Sequence, residues 1–351
     1  MKKLVSLFVL VLLAAGAAAA VMYLRVRAPY RGFEAAEQFV EIPQGAGSRT
    51  IGDRLVAAGV IRDLSTYRVA LYLSREGRRL KAGDYRFDRA MTPFEVIDKI
   101  GRGDVYVINV TFPEGLTAAE MAKIFEAHGF GPAAAFTDAA RDTSAIRDLD
   151  PEARDLEGYL FPETYPLPRH TDAAKLVRLM VSRFEHVFTP EMRAAAAARH
   201  LTVRQAVTLA SIVEKETARA DERPLVAAVY TTRLRIGMPL QCDPTVIYAL
   251  AKAHRYDGNI HKADLSFDSP YNTYRYPGLP PGPIASPGRA SLEAALNPAD
   301  ADYLYFVSRN DGSHAFARTL DEHNANVQKY QVQYFRDLRA GRAGGAGRAG
   351  R

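Results

Sequence analysis

The stretch LASIVEKETARADERP, residues 209–224, places Glu214 and Glu216 in an otherwise apolar, alanine-rich segment. Thr202 stands at the expected start of this segment and Gln205 follows three positions later. That spacing is typical of a helix N-terminus whose first side chains and backbone N–H groups bond reciprocally. The stretch therefore predicts a helix, in a chain of α+β class, and it raises the question of what the two carboxyl groups do.

The two carboxyl groups are expected on different sides of this helix. Glu216 shares its side with large apolar residues, because positions three, four and seven apart lie on one face. Those residues are Leu209, Ile212 and Val213. Glu214 is rotated by roughly 200° from Glu216 and lies with smaller residues. We expect Glu216 to be the more desolvated carboxyl, with a raised pKa and a proton to donate near neutral pH.

A simpler interpretation is that both carboxyl groups are solvated. Glu-Lys-Glu is common on exposed helices, and Lys215, Arg219 or Arg204 could pair with the glutamates. The residues of this helix alone favour that interpretation. We expect the helix to end at the turn near Ala220.

The loop SPYNTYRYPGLPPGPIASPG, residues 269–288, favours ligand binding instead. It combines tyrosines, an asparagine and a threonine with several prolines in a short span, among them those at positions 277, 280, 281 and 283. Prolines restrict the backbone and lower the entropy cost of ordering it. Hydroxyl, amide and aromatic groups on a stiff loop suit a sugar chain, although a turn-rich surface loop without a ligand has the same composition.

The N-terminal segment predicts a membrane anchor. Residues 4–24 carry no charge, and a helix of that length spans a bilayer of roughly 30 Å. A cleaved signal peptide is the alternative, since the alanines offer small-residue cleavage sites. The apolar run continues past those alanines, which favours a retained anchor. Lysines before the span and arginines after it leave its orientation open on charge, but either way the remainder of the chain is exported.

Two similar segments suggest a duplicated strand–helix unit. Residues 39–61 and 107–130 each contain an alternating run, then Pro-x-Gly, then a short helix followed by glycine. Gly59 and Gly129 fit the left-handed position that ends a helix, and Thr117 begins a capping pattern in the second copy. The region around the first copy is a small α+β module, which is either a structural spacer or a glycan-binding domain.

Composition excludes some classes of function. No block of lysine and arginine is present of the kind that follows a phosphate backbone, so we predict no nucleic-acid partner. Cys242 is the only cysteine in the sequence, and a small buried residue is its simplest role. The histidines lack the spacing of a metal site, and we predict neither a metal nor another cofactor.

The expected domain boundaries follow from these features. They are a short cytoplasmic N-terminus (1–3), a transmembrane helix (4–24), a linker (25–37), a small α+β module (38–104), a larger mixed helical and β domain (105–340) and a disordered tail (341–351). The tail contains no apolar residue larger than alanine, which is why we expect it to be disordered.

Several motifs together resemble the endolytic murein transglycosylases, the YceG-like family. They are LEGYLFPETY (156–165), LASIVEKET (209–217), RLRIGMPLQCDPTVIYAL (233–250), the loop YNTYRYPGLPPGPIASPG (271–288) and YLYFVSRNDGSHAF (303–316), with His-Asn at 323–324. The resemblance covers most of the chain and includes an N-terminal anchor and a LysM-like small module. Cys242 departs from it, since threonine or serine is more usual there.

The resemblance implies an activity and assigns residues to it. Ile212 and Glu216-Thr217 align with the isoleucine and Glu-Ser/Thr pair around the acid of lytic transglycosylases, so Glu216 is the expected catalytic acid and Glu214 the fallback. The expected substrate-binding residues are Gln241, Asp243, Asn272 and Tyr274. The implied protein is a single-pass enzyme of the cell (inner) membrane with an extracytoplasmic catalytic domain. It cuts nascent peptidoglycan strands and ends their elongation, with cell-wall synthesis enzymes as possible partners.

Two alternatives stay open from the sequence. A lysozyme-like hydrolase would need a second carboxylate beside Glu216, and Asp243 is the best candidate. A membrane-anchored scaffold that binds the cell wall without cutting it would use the small module and the tyrosine loop for binding alone.

Overall fold

The computed structural model of this chain describes residues 2–77 and 79–346. It contains two compact units. The N-terminal unit comprises Met1–Val110 and Tyr165–His170, and the C-terminal unit comprises Thr111–Thr164 and Thr171–Arg351. The module expected over residues 38–104 lies within the N-terminal unit, which also includes the helix before it and a strand that returns from later in the chain.

The N-terminal unit is built from helices and short strands. Its elements are α1 (Lys2–Arg27), β1 (Gln38–Ile42), α2 (Ser48–Ala57), α3 (Leu64–Ser74), β2 (Gly83–Phe87), α4 (Pro93–Arg102), β3 (Ile108–Thr111) and, after a long excursion, β4 (Thr164–Leu167). Strands β1 and β2 pair antiparallel, with Val40 opposite Tyr85. Strands β3 and β4 form a second pair. Helices α2, α3 and α4 supply the apolar side chains that complete the core with β1 and β2.

Helix α1 is long and apolar enough to cross a membrane, and its apolar stretch is exposed. It continues beyond the predicted span to Arg27, and Val26 is only 1% exposed within the core of the N-terminal unit. Tyr30 then pairs with Met91 through backbone hydrogen bonds of 2.9 and 3.3 Å. The linker expected over residues 25–37 is therefore packed against the module in part, because it carries apolar and pairing groups that the composition did not reveal.

The duplicated strand–helix units were predicted correctly. Helix α2 follows β1, and α5 (Ala118–Ala127) follows β3. Gly59 (φ +68°) and Gly129 (φ +74°) both adopt the left-handed conformation just after these helices. Thr117 forms the predicted capping box with Glu120. At Gly59 a side chain would also collide with the backbone of Gly32, so glycine is required there for space as well as conformation.

The C-terminal unit is mainly helical. After α5 it contains α6 (Ala133–Ala139), a 3-10 turn (Thr143–Ile146), α7 (Ala173–Val187), α8 (Pro190–Ala198), α9 (Val203–Glu216), α10 (Arg223–Arg235), α11 (Asp243–Lys252), a second 3-10 turn (Asp264–Ser266) and α12 (Arg289–Leu296). The hairpin β5 (Tyr305–Ser308) and β6 (His314–Ala317) follows, with Phe306 opposite Phe316. The chain continues through α13 (Leu320–Val327), a π-helical turn (Gln328–Gln333) and α14 (Tyr334–Ala346).

Helix α9 lies at the centre of this unit. It packs against α8, α10, α11 and α12, and every residue from 206 to 213 is buried. The helix is therefore covered on all sides, unlike the two-sided helix that its sequence suggested.

The C-terminal end departs from the expected boundary. Helix α14 extends to Ala346, into the segment from residue 341 that we expected to lack structure. Residues 341–346 include three glycines, which disfavour a helix, so local propensity does not account for this extension. Residues 347–351 of the predicted tail lie outside the described residues.

Candidate functional site

Helix α9 carries Glu216 at its last position. Thr202 caps the helix through the predicted capping box with Gln205. Thr217 is extended (φ −143°, ψ 132°), so the helix stops at Glu216. The expected end near Ala220 was wrong by several residues, because the turn at residues 220–222 is separate from the helix. The carboxyl of Glu216 thus lies at the C-terminal end of α9, next to a cavity.

Two donors contact one oxygen of Glu216. The Tyr230 hydroxyl donates to Oε1 over 2.6 Å, and the Cys242 thiol donates to the same oxygen over 3.0 Å. Burial raises the pKa of both donors well above their ordinary values, so both remain protonated donors. Tyr230 lies on α10, and Cys242 directly precedes α11. Three elements therefore meet at this carboxyl.

The pKa of Glu216 is raised above its ordinary value. Burial is the largest cause; the hydrogen bonds from Tyr230 and Cys242 oppose it, and the nearby charge of Asp243 adds to it. A carboxyl whose pKa is raised stays protonated at higher pH and can donate that proton to a substrate oxygen. The same two hydrogen bonds stabilise the carboxylate that remains after the proton has left.

The carboxylate of Glu214 contacts groups outside the surroundings of Glu216. Its Oε2 accepts the Gly288 N–H over 2.9 Å at the start of α12, and Oε1 lies 3.4 Å from Arg223 Nη2. Its side chain is 6% exposed. The face that carries Glu214 is therefore covered as well, because α12 and Arg223 pack over it. Its position in a hydrogen-bonded contact with α12 favours Glu216 over Glu214 as the acid.

A cavity of about 350 Å³ adjoins Glu216. Three of the residues expected to bind substrate line it: Gln241, Asp243 and Tyr274. Its wall also includes Tyr230, Arg233, Tyr305 and His323. A cavity of this size is within the range of small-ligand pockets, and its polar lining differs from the apolar core behind α9.

Asp243 and Tyr274 form a pair in the cavity. The Tyr274 hydroxyl donates to Asp243 Oδ1 over 2.6 Å. Burial, then Asp243 itself, raises the pKa of Tyr274, so the hydroxyl stays protonated. Asp243 is the first residue of α11, where a carboxylate interacts favourably with the helix N-terminus. The pair brings a second carboxylate into the cavity of Glu216.

Gln241 links the two predicted binding segments. Its backbone is left-handed (φ +50°) although it has a side chain, a conformation that is costly outside glycine and recurs at functional sites. Its N–H donates to the carbonyl of Thr273 over 3.2 Å. The N–H of Cys242 donates to Thr273 Oγ1 over 3.0 Å. These bonds fix the tyrosine loop against the residues next to Glu216.

Asn272 occupies a different position from the one expected. It is fully buried, and its side-chain N–H groups donate to the carbonyls of Leu265 and Phe267 over 3.1 and 2.8 Å. Its side-chain oxygen accepts the N–H of Tyr274 over 3.0 Å. The structure therefore does not bring Asn272 into the cavity as a sugar ligand. Its amide is used to hold the loop in the shape that presents Tyr274.

Residues that the sequence did not single out complete the cavity. Arg233 donates to the carbonyls of Leu304 and Leu240 over 2.7 and 2.6 Å, which joins α10 to the chain before β5 and before α11. His323 stacks on Tyr305 with ring centroids 5.1 Å apart, and burial lowers its pKa. The His-Asn pair was part of the family motifs, which is the only sequence signal that pointed to His323.

Comparison with known proteins identifies relatives over most of the chain. The YceG-like family matches residues 40–329. A protein of Bacillus subtilis (strain 168) named endolytic murein transglycosylase is 33% identical over 311 residues, which is 83% of this chain and 84% of the relative. A protein of the same name from Streptococcus pneumoniae D39 is 29% identical over 325 residues; the alignment covers 58% of its length.

A solved structure is also similar. The crystal structure of a YceG-like protein from Listeria monocytogenes matches with a TM-score of 0.56 and 32% identity, covering 82% of this chain and 98% of that one.

Proposed function

This chain belongs to the YceG-like family, and on that premise we propose that it is an endolytic lytic transglycosylase of peptidoglycan with Glu216 as its acid. The observation that carries the proposal is the partly buried carboxyl of Glu216, which faces a polar cavity and accepts hydrogen bonds from Tyr230 and Cys242. The substrate is the nascent glycan strand, and the bond cut is the β-1,4 linkage from MurNAc to GlcNAc.

The reaction uses one carboxyl group twice. Protonated Glu216 donates its proton to the glycosidic oxygen, and the C1–O bond breaks as an oxocarbenium-like centre develops. The Glu216 carboxylate then accepts the proton of the MurNAc C6 hydroxyl, whose oxygen attacks C1 and closes a 1,6-anhydro ring. Glu216 ends protonated as it began. Because the nucleophile belongs to the substrate, no water and no second protein carboxylate is required.

The surrounding groups supply charge and position. Tyr230 and Cys242 stabilise the carboxylate form of Glu216 between the two proton transfers. Asp243 contributes negative charge that favours the cationic centre, and its bond to Tyr274 orients both side chains. Gln241 is exposed at the cavity and is free to contact sugar hydroxyl or N-acetyl groups.

A lysozyme-like hydrolase is the second candidate. The observation that favours it is the presence of Asp243 in the same cavity as Glu216, because a second carboxylate could act as a nucleophile or activate water. The hydroxyl of Tyr274 already donates to Oδ1 of Asp243 and occupies that oxygen, which favours the lyase.

Product mass separates these two reactions. Purified protein is incubated with uncross-linked peptidoglycan, and the released fragments are analysed by mass spectrometry. The lyase gives 1,6-anhydro-MurNAc ends. The hydrolase gives reducing ends that are heavier by one water molecule, and their predominance would refute the lyase.

The apolar helix α1 supports a membrane location. We propose that α1 is a retained single-pass anchor in the cell membrane and that the rest of the chain is extracytoplasmic. The packing of Val26 in the core of the unit supports this, since it joins the helix directly to the module. The LysM-like assignment of the module, glycan binding by it and association with cell-wall synthesis enzymes are parts of the same proposal. The role of the protein in ending strand elongation is also part of this proposal.

A further inference from the structure

Two neighbouring cavities lie apart from the site of Glu216. One has a volume of about 370 Å³ and the other about 430 Å³. They share three charged residues: Asp155, Glu157 and Lys252. None of the residues that line the cavity of Glu216 lines either of them. Each volume is within the range of ligand pockets, and the mechanism proposed for Glu216 uses neither cavity.

Glu157 is a buried carboxyl that both cavities reach. It is 8% exposed. Its Oε1 accepts the N–H of Ala118 over 3.0 Å at the start of α5, and its Oε2 accepts the Tyr248 hydroxyl over 3.3 Å. Burial raises the pKa of Glu157 to about 7. A buried carboxyl without a directly bonded cation is costly, and a ligand amine would offset that cost.

Aromatic and cyclic side chains surround this carboxyl. The rings of Tyr248 and Tyr271 lie 4.8 Å apart, and Lys252 Nζ is 5.4 Å from the centroid of each. Pro281 and Pro283 form part of the wall. The wall depends on a glycine beside Glu157: Gly158 has φ +83°, and a side chain there would collide with Pro283. The close approach of Pro283 to the backbone of Gly158 therefore shapes this wall of the cavity.

The charges at the rim have both signs. Lys252 lies 3.8 Å from Asp155, and the two side chains are 50% and 43% exposed. Arg154 is exposed at the same rim, and it makes no ion pair with the part of the chain that the structure describes. A neutral sugar needs no such groups. A peptide with free carboxylates and a free side-chain amine can pair with the cations at the rim and with the acids of the cavity.

The tyrosine loop connects these cavities to the site of Glu216. Tyr271 lines the first of them and Tyr274 lines the cavity of Glu216, so two tyrosines three positions apart serve two cavities. Peptidoglycan carries a peptide stem on each MurNAc residue. A strand held at Glu216 therefore presents stems along its length to neighbouring surface.

We propose that the two cavities around Glu157 form a binding site for the peptide stem of the peptidoglycan strand. The proposal rests on the proposed function, since it assigns a second part of the same substrate. Lys252 and Arg154 bind stem carboxylates, Glu157 and Asp155 bind the amine of the stem diamino acid, and Tyr248 and Tyr271 pack against its aliphatic side chain.

The test measures binding without cleavage. The full chain in detergent is titrated with a soluble stem pentapeptide (alanine, glutamate, a diamino acid and two alanines) by isothermal calorimetry. We expect saturable binding to the parent and equal binding to Glu216→Gln. Lys252→Met and Glu157→Gln should each weaken binding by at least about tenfold, the effect of losing one hydrogen bond to a charged group. Lys175→Met, at an exposed lysine of α7 outside both cavities, should bind as the parent does.

Three results would overturn the site. The first is the absence of saturable binding to the parent, and the second is parental affinity in both Lys252→Met and Glu157→Gln. The third is that these variants bind neutral chito-oligosaccharides more weakly but bind the pentapeptide as the parent does. Lys252 is half exposed, so its variant keeps the assay informative if Glu157→Gln fails to fold. Failure of the proposed function is seen separately, since Glu216→Gln would then cut stem-free glycan as fast as the parent while stem binding stayed unchanged.

Discussion

Replacing Tyr230 by phenylalanine removes one hydroxyl from the site and leaves the ring in place. That hydroxyl donates to Glu216 Oε1 over 2.6 Å, and Tyr230 is 2% exposed. The ring packs edge-on against Phe306, with centroids 6.0 Å apart, and phenylalanine preserves this contact. The substitution therefore tests the hydrogen bond to the proposed acid with little change in packing.

The size of the effect follows from what the hydroxyl stabilises. A hydrogen bond to a charged acceptor contributes about 1.5–3 kcal/mol, and here it favours the carboxylate form of Glu216. The variant loses that stabilisation as the proton leaves for the substrate, so kcat should fall roughly ten- to hundredfold. The pKa of Glu216 also rises, because the variant lacks one of the two hydrogen bonds that oppose the effect of burial. The acid stays protonated to higher pH, so the alkaline limb of the activity profile moves upward.

The assay is the rate of release of soluble fragments from peptidoglycan, measured for parent and variant across the pH range. Tyr85→Phe is the matched control. Tyr85 is also buried and its hydroxyl donates to the Lys81 carbonyl over 2.8 Å, but it lies in the N-terminal unit. It should keep the parental profile. A Tyr230→Phe variant that is folded and has the parental rate and the parental alkaline limb would refute the reasoning.

Further predictions concern a thiol and an ion pair. Cys242→Ser replaces a weak donor with a stronger one, so the alkaline limb should move down; Cys242→Ala should move it up, and identical pH profiles would contradict the contact with Glu216. The native thiol should resist alkylating reagents until the protein is unfolded, because Cys242 is buried and its pKa is raised. Asp150→Asn should lower the free energy of unfolding by about 3 kcal/mol, the low end for breaking a buried pair, since Arg204 is bonded to it over 2.6 and 2.9 Å. Burial raises the pKa of Asp150, but bonds from Arg204 and Tyr159 outweigh this and hold it below the ordinary value. That stabilisation is present above a pH of about 3.9 and is lost as the pH falls further; urea titrations at several pH values should show this loss in the parent and not in the variant.

Local sequence patterns predicted several elements well. Capping boxes at Thr117 and Thr202 depend on residues three positions apart, and both formed. Gly59 and Gly129 follow their helices with positive φ, as expected. These features are decided by neighbours along the chain, so no knowledge of tertiary packing was needed.

The helix faces were predicted less well. Periodicity placed Glu216 among large apolar residues, and its carboxyl is desolvated as expected. The same argument placed Glu214 on a face of smaller residues and did not indicate that Arg223 and the start of α12 cover this face. Periodicity describes one helix and contains no information on how many others surround it.

The partners of the carboxyl could not be read from the sequence. Tyr230 is fourteen positions from Glu216, and Cys242 is twenty-six. No sequence pattern within α10 indicated which of its sides would face Glu216. Asn272 was a natural sugar ligand by residue type, but loop closure uses its amide. Contacts between distant segments depend on packing that single-sequence patterns do not specify.

The most direct test of the central claim is cleavage of purified peptidoglycan by Glu216→Gln beside Glu214→Gln. Glutamine keeps the shape of the side chain but has no proton to donate at neutral pH. We expect Glu216→Gln to release no anhydro-ended fragments above background, and Glu214→Gln, if folded, to release them. Fragment release by Glu216→Gln at the parental rate would contradict the account, and so would selective loss of activity in a folded Glu214→Gln variant.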